Sequence, residues 1–365
     1  MASIGLLVRR VRRAKSEGEP ATSAALAKLE HIRTDILRMM DLLLLGGYRF
    51  VGRAIIAEAQ ARGHTVTTFN RGNLPPMAGV ESIFGDRDDP AALRGRRWDA
   101  VVDTSGYVPR HVRAATELLC DAIHRYVFVS SISVYAQKTP GVDESAPLSV
   151  LAPNVDPDVY LDERYGELKA LCEAAAEAAM PGRTVAVRAG FIVGPYDNTD
   201  RFNSWIERAA RNEPMLVPGA ADAPLQLIDV RDLAAWIVSA AEQERIGPFN
   251  VTGPVEPMNV LEAARACIAG TASSASPVVV PSDVARAAGV VAWKHVPFWN
   301  DPEDYGLMLA SIARAVATGL RTRPLVETVR DTYAWLRTTD HPRRVVFPAE
   351  LERAAIAKAR SLPVR

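Results

Sequence analysis

The chain reads DLLLLGGYRFVG from Asp41 to Gly52, and this stretch decides its fold. Leu42–Leu45 is a continuous apolar run, which is typical of a strand buried on both faces of a parallel sheet. The run ends at the pair Gly46-Gly47, and Val51–Arg62 follows with the spacing of apolar residues expected of a helix. A strand, a glycine turn and a helix in this order are the first part of a βαβ unit.

The same alternation of strands and helices continues along the chain. Further strands are predicted at Val66–Phe69, Val80–Phe84, Asp99–Asp103, Tyr126–Val129 and Thr184–Val187, and further helices at Arg110–Ile123 and Asp162–Ala179. This pattern predicts an α/β fold, a doubly wound parallel (Rossmann) sheet covered by helices. The regularity falls after Gly190, and a smaller C-terminal lobe is indicated by helices predicted at Phe202–Arg211, Asp229–Glu242, Val260–Ala269, Ala310–Thr318 and Leu325–Arg337.

Charge and cysteine content argue against several classes of protein. The 43 Lys and Arg residues equal the 43 Asp and Glu residues, so we expect no nucleic-acid partner. The 3 cysteines lie far apart without a C-x-x-C pair, which favours a reducing compartment and no metal site. No apolar run approaches the roughly 18 residues that a membrane span needs. We therefore expect a cytoplasmic protein without a transmembrane segment, which acts on a small molecule; a homodimer is left open.

The glycine turn is suited to a dinucleotide. Its backbone can approach a pyrophosphate closely, and the N-terminus of the following helix offers free N–H groups and positive potential. The turn and the start of this helix supply the candidate residues Gly46, Gly47, Arg49, Phe50 and Gly52.

The end of the second strand bears on the choice of cofactor. Dinucleotide sites often carry an acidic residue there for the adenosine ribose, but this chain has Asn70 and Arg71. Asn70 lacks the carboxylate that would repel a 2′-phosphate, and the planar cation of Arg71 is suited to bind one. We therefore predict NADP(H) in preference to NAD(H). The alternative is that Arg71 is only a solvated turn residue.

Three side chains are candidates for acid/base chemistry. Tyr165 and Lys169 are four residues apart on a predicted helix and therefore share a face. A nearby ammonium favours the phenolate, so we expect the pKa of Tyr165 to fall towards neutral pH. Ser131 follows the fifth strand, at the carboxyl edge where open α/β sheets bind ligands, and its hydroxyl can hydrogen-bond a reacting oxygen.

With these motifs the chain resembles the extended short-chain dehydrogenase/reductases, the NAD-dependent epimerase/dehydratase family, in an atypical form with the pattern GGxRFxG. The resemblance runs from about Asp41 to Arg337. It implies that Tyr165 exchanges a proton with the substrate oxygen and that Lys169 also binds the nicotinamide ribose, with Ser131 as their partner. It further implies that Asp86 meets the adenine and that Ser105 and Gly106 line the cofactor.

Two departures from the family pattern bear on function. Arg49 replaces the middle glycine of the turn, and its side chain either reaches the adenosine phosphate or only packs. The Asp-Glu pair that follows the serine position in the dehydratases is replaced by Ile132 and Ser133, which disfavours sugar dehydration. Three functions remain: an oxidoreductase acting on a carbonyl or secondary alcohol, a sugar or nucleotide-sugar epimerase with tightly held cofactor, and a non-catalytic nucleotide-sensing or RNA-binding protein.

These observations divide the chain into four predicted segments. Residues 1–40 form an extension, residues 41–190 the NAD(P)-binding domain, residues 191–337 a substrate-binding lobe with segments returning to the first domain, and residues 338–365 a basic tail. For the extension, an added or mis-assigned start, a helical hairpin and a membrane-surface helix are all open.

The substrate is expected to be a small molecule, and an arginine in the cleft would suit one that carries a phosphate or carboxylate. Each candidate below could instead be a surface or core residue. The candidates are Tyr107, Arg110, Arg188, Arg201, Trp205, Trp293, Phe298 and Trp299.

Overall fold

A parallel β-sheet is the centre of the computed structural model, which describes residues 39–243, 245–340 and 343–361. Residues 1–38 of the predicted extension lie outside the described residues. The strands are β1 (Asp41–Leu45), β2 (Thr65–Asn70), β3 (Glu81–Phe84), β4 (Ala100–Asp103), β5 (Arg125–Ser131), β6 (Thr184–Ala189), β7 (Phe191–Val193), β8 (Met215–Pro218), β9 (Pro224–Leu225), β10 (Leu227–Asp229), β11 (Gly247–Val251), β12 (Met258–Asn259) and β13 (Pro277–Val280).

Seven of these strands form one sheet in the order β11-β6-β5-β4-β1-β2-β3, and every neighbouring pair is parallel. The predicted Rossmann fold is therefore confirmed. The order reverses between β1 and β4, which creates the crevice where ligands of such sheets bind. The four leucines Leu42–Leu45 are at most 3% exposed, as expected of a central strand. The sequence did not predict β11, which returns from the second half of the chain.

The helices are α1 (Phe50–Ala61), α2 (Pro109–Leu119), α3 (Tyr165–Ala179), α4 (Asn203–Ala209), α5 (Val230–Glu242), α6 (Val260–Gly270), α7 (Ser282–Ala287), α8 (Ala313–Ala317), α9 (Leu325–Leu336) and α10 (Ala349–Arg360). On the sheet, α1 packs against α5, and α2 packs against α3. The predicted helix at Ala310–Thr318 is shorter in the structure, where only α8 is helical.

The smaller lobe has its own apolar core, to which α4, α6 and α9 contribute together with the parallel pair β8 and β13. Residues 338–365, expected as a basic tail, include α10, whose Ala355 and Ile356 are buried in this core. Glu352 of α10 forms a 2.6 Å ion pair with Arg208 of α4, and both side chains are almost fully buried. The end of the described chain is therefore part of the folded lobe. The prediction of a tail was wrong because it rested on net charge, which does not reveal a buried ion pair.

Candidate functional site

A cleft of about 1230 Å³ lies along the carboxyl edge of the sheet. It brings together residues from the ends of β1, β2, β4, β5 and β6 with residues of α3 and of the smaller lobe. Most of the predicted site residues line it: Gly46, Gly47, Arg49, Phe50, Gly52, Asn70, Arg71, Asp86, Ser105, Ser131, Tyr165 and Lys169. Gly106 is not a lining residue, but its carbonyl group contacts Lys169.

The glycine turn is packed too tightly for side chains. Gly46 and Gly47 have φ angles of +106° and +122°, which other residues rarely adopt. A Cβ at Gly46 would lie 2.6 Å from Oγ1 of Thr104, and one at Gly52 would lie 2.4 Å from the carbonyl oxygen of Gly47. No side chain caps the N-terminus of α1, and its first turn holds no acidic residue. Its free N–H groups thus suit the pyrophosphate of a dinucleotide.

Asn70 and Arg71 have different roles at the end of β2. The side chain of Asn70 holds the turn, since its Oδ1 accepts from the N–H of Gly72 at 2.8 Å and its Nδ2 donates to Thr68 at 3.1 Å. Arg71 is exposed and lines the cleft. No carboxylate follows β2 at this position, so the residues here suit either a ribose or its 2′-phosphate.

A buried acid lies at the end of β4, which the sequence analysis missed. Asp103 is 0% exposed and accepts hydrogen bonds from Arg87 at 2.7 Å, from Tyr126 at 2.5 Å and from the N–H of Ser105 at 2.9 Å. Burial alone would raise the pKa of Asp103, but the charge and hydrogen bond of Arg87 outweigh it and lower the pKa. The carboxylate thereby fixes the loop that carries Ser105 in the wall of the cleft. The available signal was an acid that directly follows three apolar strand residues.

Tyr165 and Ser131 both line the cleft. Tyr165 is the first residue of α3, and Ser131 is the last residue of β5. Burial raises the pKa of Tyr165 to about 12, helped by Tyr107 and opposed by a hydrogen bond with Ser131 and by the charge of Arg201. The expected fall in the pKa of Tyr165 is therefore wrong, because burial of the phenol dominates.

The ammonium of Lys169 is bound by backbone carbonyl groups. Its Nζ donates to the carbonyl oxygens of Gly106 at 2.9 Å and Val129 at 2.6 Å, and it lies 4.0 Å from the centre of the Phe128 ring. The two backbone carbonyl groups therefore hold the ammonium in place. Burial lowers the pKa of Lys169 to about 8. A buried lysine of this kind can change its protonation state near neutral pH.

Only some of the substrate candidates reach the cleft. Tyr107, Arg110 and Arg201 line it. Arg188 instead forms a buried 2.8 Å ion pair with Glu173, and Trp205 lies in the core of the smaller lobe.

The aromatic candidates of the smaller lobe also lie outside the cleft lining. Phe298 and Trp299 belong to the lobe core. Phe191 lines the cleft, and its ring packs on those of Trp293 at 5.6 Å and Phe298 at 5.2 Å. These rings therefore support the cleft wall from behind.

Two further lining residues had no signal in the sequence. Tyr160 packs edge-to-face on Tyr107 with 5.5 Å between ring centres, and its hydroxyl donates to Asp162 at 2.6 Å. Arg344 comes from the segment expected as a tail and lines the cleft beside residues almost 150 positions earlier in the chain, such as Thr199 and Arg201. Such long-range placement depends on how the lobe folds and cannot be read from local spacing.

Comparison with known proteins agrees with this architecture. The sequence model of the NAD dependent epimerase/dehydratase family matches residues 42–252. The chain is 26% identical over 238 residues to the chloroplast stem-loop binding protein of 41 kDa b of Arabidopsis thaliana, a match that covers 58% of each chain. It is 29% identical over 179 residues to 2-alkyl-3-oxoalkanoate reductase of Stenotrophomonas maltophilia, covering 43% of this chain and 52% of the relative. Both matches thus span less than two thirds of the relative.

Among solved structures, the chain is similar to UDP-glucuronic acid 4-epimerase from Bacillus cereus in complex with NAD. The TM-score is 0.60 at 17% identity, and the match covers 84% of this chain and 99% of the other. At this identity the likeness concerns the fold. Within the described residues, no helix has the length and apolar character to cross a membrane.

Proposed function

Because the chain belongs to the NAD dependent epimerase/dehydratase family, we propose that it is an NADPH-linked oxidoreductase that reduces a carbonyl group or reversibly oxidises a secondary alcohol. The observation that carries this proposal is that Tyr165, Ser131 and Lys169 line one cleft together with the glycine turn. General acid/base chemistry needs a proton donor within reach of the reacting oxygen, and a phenol beside a serine hydroxyl supplies it.

In this proposal the cofactor, when bound, exchanges a hydride with the reacting carbon. Ser131 donates a hydrogen bond to the substrate oxygen, and Tyr165 gives its phenolic proton to that oxygen. With its pKa raised to about 12, Tyr165 is protonated at neutral pH and holds the proton that reduction requires. Lys169 holds a positive charge beside the site and would be the residue that binds the ribose hydroxyls of the cofactor.

The preference for NADPH rests on the end of β2. Arg71 is exposed to the cleft, and the side chain of Asn70 is engaged in its own turn. A guanidinium binds a phosphate through paired, charge-assisted hydrogen bonds, so we assign the 2′-phosphate to Arg71. Arg49 is also exposed at the N-terminus of α1, and we assign it a contact with a phosphate of the cofactor.

The relative named as a 2-alkyl-3-oxoalkanoate reductase supports carbonyl reduction, and a 3-oxo acid is the first substrate class to try. An epimerase that returns the hydride to the same carbon is the second candidate, supported by the fold of the Bacillus epimerase. A steady loss of NADPH absorbance with excess 3-oxo acid distinguishes the two. A reductase consumes the cofactor, whereas an epimerase leaves its absorbance constant over many turnovers.

The name of the Arabidopsis relative raises a third function, the binding of a nucleic-acid stem-loop. The equal numbers of basic and acidic residues argue against it, because affinity for nucleic acids rests mainly on positive charge. A titration with a labelled RNA stem-loop at roughly physiological salt tests this. Two results together would contradict the oxidoreductase proposal: tight RNA binding that NADPH does not displace, and no consumption of NADPH in the substrate assay.

A further inference from the structure

Arg201 lines the cleft, and its side chain is half-buried. Among the ion pairs of the described residues, none joins Arg201 to an Asp or Glu. Its Nε donates to Oγ1 of Thr199 at 3.2 Å, and its guanidinium lies 5.1 Å from the ring centre of Phe191. Burial lowers the pKa of Arg201, which indicates that its positive charge is only partly compensated. A desolvated cation of this kind is stabilised when a ligand brings an anion.

Two acids of the same loop, Asp197 and Asp200, are already engaged in hydrogen bonds. Oδ1 of Asp197 accepts from the N–H and the hydroxyl of Thr199 at 2.8 Å and 2.7 Å, and burial raises the pKa of Asp197. The carboxylate of Asp200 accepts from Asn203 at 2.8 Å and from the N–H of Arg344 at 2.7 Å. Both carboxylates are fully buried, and the charge of Asp197 offsets only part of the cost of burying the Arg201 charge.

The loop that carries Arg201 is held in a demanding conformation. Tyr196 and Asp200 have φ angles of +70° and +61°, which residues other than glycine rarely adopt. Such conformations persist where the surrounding structure holds them, and they are concentrated at ligand sites. Because Arg201 follows Asp200 directly, the strained backbone fixes the direction in which its side chain leaves the loop.

Arg344 is brought to the same end of the cleft by anchored neighbours. Its backbone N–H is bound to Asp200, as described above. Three residues further on, Phe347 is 1% exposed, and its carbonyl accepts from Arg211 at 2.8 Å. The side chain of Arg344 itself is exposed and lines the cleft. A fixed backbone with an exposed guanidinium is suited to a ligand contact.

We propose that Arg201 and Arg344 form an anion subsite, so that the substrate carries a carboxylate or phosphate on the same small molecule as the reacting carbonyl. The inference rests on the proposed function, since Tyr165 marks where the carbonyl oxygen binds. Arg201 and Tyr165 line the same cleft, so one small molecule can place its anion at Arg201 and its carbonyl at Tyr165. A compact oxo acid or phosphorylated ketone meets this requirement.

The test is calorimetric titration of the protein–NADP⁺ complex, in which no reduction occurs. One pair of probes is 3-oxohexanoate and its methyl ester, and the other is dihydroxyacetone phosphate and dihydroxyacetone. We expect at least one anion to bind about tenfold or more tightly than its neutral counterpart, as charge-assisted hydrogen bonds provide. The pair that shows the preference tells whether the group is a carboxylate or a phosphate.

Arg201→Gln and Arg344→Gln should each remove most of this preference while the affinities for NADP⁺ and for the neutral probe stay the same. Arg330→Gln is the matched control, because Arg330 is an exposed arginine on α9 outside the cleft lining. The subsite is refuted if the wild type prefers neither anion or binds none of the probes. It is also refuted if Arg201→Gln keeps the full preference. An anion preference that depends on Arg201, without NADPH consumption by either probe pair, would instead overturn the proposed function alone.

Discussion

Replacement of Lys169 by Met should change how the stability of the protein depends on pH. Lys169 is 3% exposed, and its Nζ contacts two backbone carbonyl oxygens in place of a carboxylate. Burial lowers its pKa from 10.5 to about 8 in the folded protein, whereas the unfolded chain keeps the ordinary value. The folded state therefore loses this proton at lower pH than the unfolded state.

The size and sign of the effect follow from this difference. Below pH 8 both states are protonated, and the folded state bears the full cost of a buried ammonium. Between about pH 8 and 10.5 the unfolded state holds a proton that the folded state has lost, so the free energy of unfolding rises with pH. At about 1.4 kcal/mol for each pH unit, the gain is about 3 kcal/mol over the whole window.

Urea unfolding of the wild type and Lys169→Met at a series of pH values from 7 to 10.5 measures this gain. Loss of the hydrogen bonds to Gly106 and Val129 shifts the variant by a constant amount, and all other titrating groups are common to both proteins. The difference between the two free energies of unfolding should stay constant up to about pH 8 and then move by about 3 kcal/mol in favour of the wild type. Parallel curves across the window would refute the burial argument.

Three further changes test other parts of the site. Tyr165→Phe should lower turnover by about 10²–10⁴-fold with NADPH affinity unchanged, since only the proton donor is lost; full activity in steady-state assays would remove the mechanism. Arg71→Ala should weaken binding of NADPH about tenfold or more and leave NADH unaffected in fluorescence titrations, and equal losses would contradict the 2′-phosphate assignment. Gly166→Ala places a Cβ 2.1 Å from the carbonyl oxygen of Ser133, so it should cost about 1–3 kcal/mol in urea unfolding and displace Tyr165. An unchanged unfolding midpoint would show that α3 tolerates the shift.

The first half of the fold could be predicted because its signals are local. An apolar run such as Leu42–Leu45, a glycine turn and a helical period are each properties of a few consecutive residues, and all were found close to their predicted bounds. The strand Gly247–Val251 was missed, although it pairs with β6 at the edge of the sheet. It lies far along the chain in a region of irregular pattern, and its partner is set by tertiary structure.

The site shows the same division. The residues of the glycine turn, Ser131, Tyr165 and Lys169 were named from motifs, and the fold brings them to one cleft. The protonation of Tyr165 was not predictable, because the effect of a charge four residues away depends on burial and on which acceptors the charge already has. Arg344 shows the limit most clearly, since it reaches the cleft only through the anchoring of the segment before α10.

The central claim is that the cleft holds a nicotinamide ring beside the phenol of Tyr165. The most direct measurement is a crystal structure of the NADP⁺ complex, in which the distance from the phenolic oxygen to the reactive carbon of the nicotinamide is determined. We predict that this distance leaves room for one carbonyl group of a substrate, with its oxygen hydrogen-bonded to Tyr165 and Ser131 and its carbon next to the nicotinamide. Lys169 should contact the ribose hydroxyls. A dinucleotide bound away from the Gly46-Gly47 turn, or a ring that faces away from the phenol, would contradict the account.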